Sequence, residues 1–487
     1  MSTVRSDRRN FIRTTAAGMA VVGALPATRA IAANEELRVA VVGAGGRGTG
    51  VAAAFAATPG VRLVMVADPD SGRANKLAAK HDAVPVADMR KVFDSDDVDA
   101  VVITTCNHWH CLAAIWALQA GKHVYVEKPL SHTQWEGRQL VEAARKSGLV
   151  CTIGTQQRSD PMQAEAKQFL HQDKGLGKIE YVQANRLGRR EAIGRRATPL
   201  TPPAEVDYNL WLGPAAEQAM YRDNLHYDWH WDFNTGSGEM GNWGVHILDD
   251  IRNVAYQDSV STPSRIVAAG GRVAWNDGGN TPNVHYAVLE TDSFPTLMAL
   301  SNLADQPDGK GSWNCPIHPR VKNPGSGYVV VCEGGYYCGQ RQAGKAYDKD
   351  GKVIRTFKGG NIVPLHVKNF VESVLARDPS NLNVSIEEGH NSTGWCNLAN
   401  VAFQVGRSYD SGALANASDV AGWSRLVEQM ESQLKPFGVN ADSLSASAVL
   451  THDPKTERFV GNGSEAANAM LKRTYRKGFE VPEIVSA

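Results

Sequence analysis

From Leu37 to about Gly154 the chain alternates short apolar runs with amphipathic stretches, and beyond that point the rhythm breaks. Leu37–Val42 is an unbroken apolar run ending in glycines, which predicts a strand buried on both faces of a parallel sheet. An alanine-rich helix is expected from Gly48 to Ala57, followed by strands over Val61–Ala67 and Val98–Thr104. His110–Ala120 reads as a helix stopped by Gly121, and strands at Lys122–Val126 and Leu149–Ile153 bracket a helix at Trp135–Lys146. Strands alternating with helices at this spacing predict an α/β fold, a doubly wound parallel sheet of the Rossmann type.

After Gly154 the chain turns irregular and rich in Pro, Gly, Asn and Trp. Strands are expected at Val284–Glu290, Thr296–Ser301 and Tyr328–Cys332, and helices at Met162–Gln172, Gly244–Ala255, Leu365–Ala376 and Ser392–Arg407. Strands grouped together with helices set apart predict an α+β second domain on a largely antiparallel sheet. Residues 408–447 read as a less regular insertion, and Ser464–Tyr475 as a last helix.

Composition changes the picture in three places. Lys+Arg and Asp+Glu both total 51, so no net field steers the protein toward nucleic acid or an anionic membrane. The seven cysteines contain no CxxC pair, which argues against a thiolate metal site and against a disulfide framework. Cys332 and Cys338 are left with two readings, a pair formed in an oxidising compartment or buried free thiols. The first 33 residues read as a signal: Arg8-Arg9-Asn10-Phe11-Ile12-Arg13, an apolar stretch Ala16–Leu25, and a small-residue run Ala30–Ala33. The apolar stretch is too short and too rich in Gly and Ala to span a bilayer, so no membrane anchor is expected. The paired arginines resemble a twin-arginine signal, with Asp7 in place of the usual serine, and imply export to the periplasm or beyond by machinery that carries folded proteins.

The chemistry starts at Gly43-Ala44-Gly45-Gly46-Arg47-Gly48, a G-x-G-x-x-G that follows the first strand and opens a helix. Gly43 suits the tight turn, Gly45 the approach of backbone to a pyrophosphate, and Gly48 the packing of helix on strand. Amides at the helix start, including those of Gly46 and Arg47, would hold the phosphates. Asp68 ends the second strand, where a carboxylate accepts hydrogen bonds from ribose hydroxyls and repels a 2′-phosphate, so NAD is expected rather than NADP.

Two further stretches carry a family resemblance. Thr104-Thr105-Cys106-Asn107-His108-Trp109-His110, and Ala120-Gly121-Lys122-His123-Val124-Tyr125-Val126-Glu127-Lys128-Pro129 after the intervening helix, resemble the glucose–fructose oxidoreductase / inositol dehydrogenase / MocA family. Gly238–Asp249 extends the likeness more loosely into the second domain. The resemblance implies that Asn107 and His110 lie beside the cofactor and that Glu127 and Lys128 border the nicotinamide ribose. It also implies a cis peptide before Pro129. Lys128 becomes the partner of a developing alkoxide and His246 the group that moves the hydroxyl proton. The family's carboxylate four positions before that histidine is Asn242 here, which cannot take a proton. His246 then acts with another partner, Asp249 or Asp232, or on a substrate unlike simple polyols.

His226-Tyr227-Asp228-Trp229-His230-Trp231-Asp232-Phe233 is unusually aromatic. It reads equally as a carbohydrate-binding wall, with His226, Tyr227 and His230 touching substrate, or as core. Arg158, just past the last Rossmann strand, is expected in the cleft between domains, and Asp249 is a further substrate contact. His226, His230, His246 and Asp232 could ligate a metal, but the family needs none, and none is expected. The resulting division is a signal (1–33), an NAD-binding domain (34–157), a substrate and oligomerisation domain (158–430) and a C-terminal extension (431–487). A homo-oligomer is compatible with it.

The expected activity is an exported NAD-dependent oxidoreductase. Hydride would pass between a retained nicotinamide and a hydroxyl carbon of a sugar, glycoside or polyol. Two alternatives stand beside it: a redox-neutral NAD-dependent glycosidase working by oxidation, elimination and hydration, and a non-catalytic NAD-binding protein.

Overall fold

The computed structural model describes residues 36–485, so the expected signal at 1–33 lies outside the described residues. Strand β1 (Leu37–Val42) is buried at every position because it pairs in parallel with β2 (Val61–Ala67) on one side and β4 (Ala100–Ile103) on the other. With β3 (Val84–Val86), β5 (His123–Val126) and β6 (Cys151–Ile153) the sheet runs β3-β2-β1-β4-β5-β6. Strand order reverses between β1 and β4, and a crevice opens at the carboxyl ends of those two strands.

Helix Gly46–Ala56 covers one face of this sheet through Val51, Ala52 and Phe55. Phe55 meets Tyr125 and Phe370 edge-on at 5.5 and 5.9 Å. Phe370 belongs to helix Ile362–Ala376, so a segment from late in the chain completes the first domain's core. The opposite face carries helices His110–Gln119 and Gln134–Ser147. Helix Ser71–Lys80 and the short β3 were not expected; the first is mostly charged or small, and Pro85 interrupts the second.

The second domain is a mixed, mostly antiparallel sheet. Its strands are β7 (Ile179–Leu187), β8 (Arg265–Gly271), β9 (Val284–Glu290), β10 (Thr296–Ser301), β11 (Ser326–Cys332), β12 (Gly335–Gln340), β13 (Ala343–Asp348) and β14 (Val353–Lys358). Along the path β14-β13-β12-β11-β7-β10-β9-β8, only β7 and β10 pair in parallel. The hydrophobic pattern locates β9, β10 and most of β11 but passes over β7, the strand at the centre. β7 buries Gln183, Asn185 and Arg186, which find polar partners: Gln183 Nε2 donates to Asn185 Oδ1, and Arg186 Nε to Glu239 Oε1, while Asn185 Nδ2 is left without one. A strand that buries polar side chains against such partners has no apolar run to betray it.

Helices Val245–Val254 and Ile386–Val405 pack one face of this sheet. The other face is covered by helix Trp423–Leu434, which buries Trp423, Leu426, Val427 and Met430 at helical spacing. The expected irregular insertion therefore contains an element that closes the core. The last helix spans Ser464–Ala469, shorter than expected, because the chain then runs back over the first domain. Trp135 N–H donates to Leu471 O, and Phe479 meets Trp109 edge-on at 5.5 Å. All seven cysteines are free, which answers the question left at Cys332 and Cys338. Among the described residues no helix is long and apolar enough to cross a membrane.

Candidate functional site

The crevice above β1 and β4 is a cleft of about 610 Å³ that runs from the glycine loop past Lys128 to Asn242. Gly43 sits at φ +97°, and a Cβ there would lie 2.7 Å from the Thr104 carbonyl. A Cβ at Gly48 would fall on the Gly43 carbonyl oxygen, so loop, helix and β4 touch backbone to backbone. Gly45 caps the helix without a side chain, and a Cβ at Gly46 would meet nothing, which leaves the first-turn amides open to an anion. Asp68 is buried beside them: Oδ2 accepts from Ala44 N–H at 2.6 Å and Oδ1 from Asp70 N–H at 2.9 Å. Burial raises its pKa, and the two backbone donors work against that rise. A loop open to a pyrophosphate and a carboxylate at the end of β2 fit a dinucleotide.

Arg47 and Glu127 join the two halves of the cofactor side. Arg47 Nη2 meets Glu127 Oε1 at 2.6 Å, and Gln156 Nε2 donates to the same oxygen at 3.0 Å. Burial would raise the Glu127 pKa, but the Arg47 charge and hydrogen bonds prevail and hold it below the usual carboxylate value. Lys128, next along, is half-buried, and the Lys128–Pro129 bond is cis. Its Nζ donates to Asn242 O at 2.9 Å and Oδ1 at 3.4 Å. Burial pushes its pKa down to about 8; Glu127 opposes the fall, and Arg47 and Arg341 add to it. Asn107 lines the cleft and accepts a hydrogen bond from Ser237 Oγ. His110 also lines it, with its two ring nitrogens 2.6 Å from Pro129 O and 3.1 Å from Thr105 O. These contacts brace the turn at Pro129.

The second domain supplies the opposite wall. Asn242 lies in a π-helical turn, Met240–Gly244, a distortion frequent at functional sites. Its amide donates to Glu239 Oε2 while both of its oxygens hold Lys128. His246 follows on helix Val245–Val254, 7% exposed and edge-on to Trp243. It does not line the cleft itself but feels the charges of Arg341, Lys128 and Arg47. Burial and those cations hold its pKa well below 6.5, so it is neutral at physiological pH. Its Nδ1 is shielded and has no partner.

Of the aromatic segment, His226, Tyr227, Trp229 and His230 line the cleft and Trp231 is buried. His230 stacks on Trp229 with centroids 3.6 Å apart, and burial pushes its pKa to about 3. Tyr227 is 55% exposed and His226 bonds Asp70 Oδ2 at 2.9 Å.

Two expectations are corrected. Arg158 and Asp249 do not line the cleft; they form a buried ion pair at 2.8 Å, with Asp258 on the far side of Arg158 and Ser392 on Asp249. They are structural, because an ion pair this buried has its charges already satisfied. Neither offered partner reaches His246, since Asp249 is held by Arg158 and Asp232 by Arg222 at 2.8 Å. Of the four residues weighed as metal ligands, His226, His230 and Asp232 are bonded to Asp70, Tyr227 O and Arg222, and among the described residues no group of three or more His, Cys, Asp or Glu is placed to hold a metal.

The sequence reading missed Arg341, Trp243, Glu239, Arg186 and Arg190. Buried Glu239 takes Arg186 at 2.5 Å, Arg190 at 3.1 Å and Asn242, and the Arg186 guanidinium lies 4.6 Å from the Trp243 ring centroid. Only Glu239 and Trp243 stood inside a recognised stretch.

Compared with known proteins, residues 37–155 match the family model "Oxidoreductase family, NAD-binding Rossmann fold" and residues 192–273 match "Oxidoreductase family, C-terminal alpha/beta domain". The chain is 34% identical over 136 residues to scyllo-inositol 2-dehydrogenase (NAD(+)) of Bacillus subtilis, covering 28% of this chain and 40% of that protein. It is 30% identical over 289 residues to levoglucosan dehydrogenase of Pseudarthrobacter phenanthrenivorans, covering 55% and 65%. Overall it spans about half the length of the curated relatives it matches. A solved levoglucosan dehydrogenase in complex with NADH and levoglucosan shares the fold, at TM-score 0.55 and 17% identity over 75% of this chain and 96% of that one.

Gly48→Ala tests the loop. Alanine favours a helix by about 1 kcal/mol over glycine, yet here its methyl group displaces the Gly43 carbonyl. Calorimetry on the apoprotein should show NAD affinity reduced by at least about tenfold; unchanged affinity would contradict the packing described.

Proposed function

We propose that this chain is an oxidoreductase of the Gfo/Idh/MocA type, as the family matches over residues 37–155 and 192–273 support, and that it transfers hydride between a retained NAD and a hydroxyl carbon of a sugar, glycoside or polyol. One observation carries this reading: a cation, Lys128, is held by Asn242 at the end of the glycine-loop cleft, beside two imidazoles kept neutral by burial. The nicotinamide, when bound, accepts or returns the hydride. Gly43, Gly45 and Asp68 would hold the dinucleotide, and the bonded pair Glu127 and Arg47 lines the same cleft.

Lys128 Nζ has a donor left after its two bonds to Asn242, and directs it at the substrate hydroxyl oxygen, where it steadies the negative charge as the proton departs. His246 receives that proton as a neutral imidazole. With Nδ1 shielded, Nε2 is the nitrogen open to exchange. Tyr227, Trp229 and His230 offer ring faces and a hydrogen-bonding edge to a sugar.

Asn242 favours a second reading. Without a carboxylate at that position the imidazolium on His246 lacks a counter-charge and returns its proton readily, as a redox-neutral glycosidase cycle requires. Purified holoprotein given aryl glycosides and no acceptor separates the two. Release of the aryl group without net NADH supports the glycosidase, and a change in cofactor absorbance with a sugar panel supports the dehydrogenase. Neither result with any substrate would leave a non-catalytic NAD-binding protein.

Lys128→Met should lower kcat/KM by about 10²–10⁴-fold while NAD stays bound. The lysine works as a cation and its pKa is depressed, so its contribution is present below that pKa and lost as pH rises through it. Turnover should therefore hold below about pH 7 and fall through about pH 8. A rate that climbs through pH 8 would make Lys128 the base instead.

Export is the last part of the proposal, supported by Arg8-Arg9 and the short apolar stretch after them. Replacing both arginines by lysine should leave folded holoprotein in the cytoplasm on cell fractionation; undiminished export would sink the twin-arginine route.

A further inference from the structure

Arg341 is a cation that the mechanism above leaves without a task. It occupies the two-residue turn Arg341–Gln342 between β12 and β13. Gln342 adopts φ +60°, a conformation disfavoured for any residue with a Cβ. The turn is nonetheless braced from outside its own hairpin. Gly359 N–H donates to Gln342 O at 2.8 Å, Gln342 Nε2 donates to Gly360 O at 2.6 Å, and a Cβ at Gly359 would fall on Asp160 Oδ2. Arg341 thus projects from a stiff tip lodged against the segment that joins β14 to helix Ile362–Ala376.

Its guanidinium lies 5.5 Å from the Trp243 ring centroid, one residue beyond Asn242. The side chain is half-buried, and among the described residues none accepts a hydrogen bond from it or forms an ion pair with it. Its neighbours are anchored: Arg47 by Glu127, and Arg186 and Arg190 by Glu239. Two carboxyl groups favour its charge: Asp250, which is bonded to Gln163 and pushed up to about 8 by burial, hence mostly uncharged at neutral pH, and Glu127, which is already taken by Arg47. Arg47 and Lys128 line this end of the cleft, while Arg186 and Arg341 lie outside its lining over the Trp243 ring and Arg190 beside Glu239, so five cations share two glutamates, Glu127 and Glu239. A half-buried guanidinium with no acceptor in the protein is costly to keep partly desolvated, and its planar fork matches a carboxylate or phosphate.

Resting on the oxidoreductase reading, we propose that the substrate carries an oxyanion, a carboxylate or phosphate on its hydroxylated ring, and that Arg341 grips this group while Lys128 addresses the reacting hydroxyl. The group fixes which hydroxyl is presented, so Arg341 sets specificity and regiochemistry, and Lys128 with His246 does the proton chemistry.

The test uses purified holoprotein with three matched ligands: a neutral hexose, the corresponding uronic acid and the corresponding hexose 6-phosphate. Binding is read by the rise in Tm and by quenching of tryptophan fluorescence, and turnover by cofactor absorbance. An anionic ligand should bind at least about tenfold more tightly than the neutral hexose, as one charge-assisted pair is worth. Whichever of uronate and phosphate binds more tightly identifies the oxyanion. Arg341→Ala should collapse the anionic-to-neutral ratio to near one, and Arg341→Lys should keep part of it, since a point charge remains but the fork is lost. Equal binding of anionic and neutral sugars, or a ratio that survives Arg341→Ala in a variant with unchanged circular dichroism, would overturn the proposal. Anion-selective binding without any cofactor redox change would instead overturn the oxidoreductase reading and leave the Arg341 site standing.

Discussion

The Glu127 carboxylate is the constraint on which this site depends. It is buried and it bonds Arg47, from the helix that opens the nucleotide loop, and Gln156, from the segment leaving β6. Three separately encoded pieces of chain therefore meet on one anion. An unpaired carboxylate at this depth would take up a proton, and Arg47 keeps it charged. Its charge in turn keeps Lys128, whose ammonium would otherwise be driven further toward neutrality by burial, largely cationic near pH 7. Loop, strand end and reactive ammonium are thus one electrostatic unit.

The second domain meets that unit with a different arrangement. Glu239 is fully buried and gathers Arg186, Arg190 and the Asn242 amide, which fixes the Asn242 oxygens toward Lys128. Asn242 is therefore a positioning residue: it holds the lysine without being able to carry a proton. Two neutral histidines flank it, His230 on the cleft wall and His246 beneath Trp243. The surplus of cations near this end is the ground for the proposed anionic substrate.

The first domain was legible in the sequence because its chemistry is local. The glycines of the nucleotide loop, Asp68 and the Glu127-Lys128-Pro129 turn each follow a strand whose apolar run announces it, and each lies on the cleft. Arg158 and Asp249 misled for the opposite reason. Their placement near a strand end and on the His246 helix suggested the cleft, but which way a charged side chain turns depends on its partners, here each other and Asp258, ninety or more positions apart. Arg341 left no signal at all, since its place comes from a hairpin turn lodged against Gly359. Central strand β7 was hidden because it buries polar residues, and helix Trp423–Leu434 because its segment is otherwise rich in Ser, Asp and Gly.

The claim that one buried carboxylate sets the charge of the reactive lysine is tested most directly by titrating Lys128 itself. Its Nζ resonance can be followed against pH by NMR in the apoprotein, with and without Glu127→Gln. The account places the wild-type midpoint near pH 8 and the variant's clearly lower. A midpoint that stays put, or moves up toward the ordinary 10.5 of a free lysine, would contradict it.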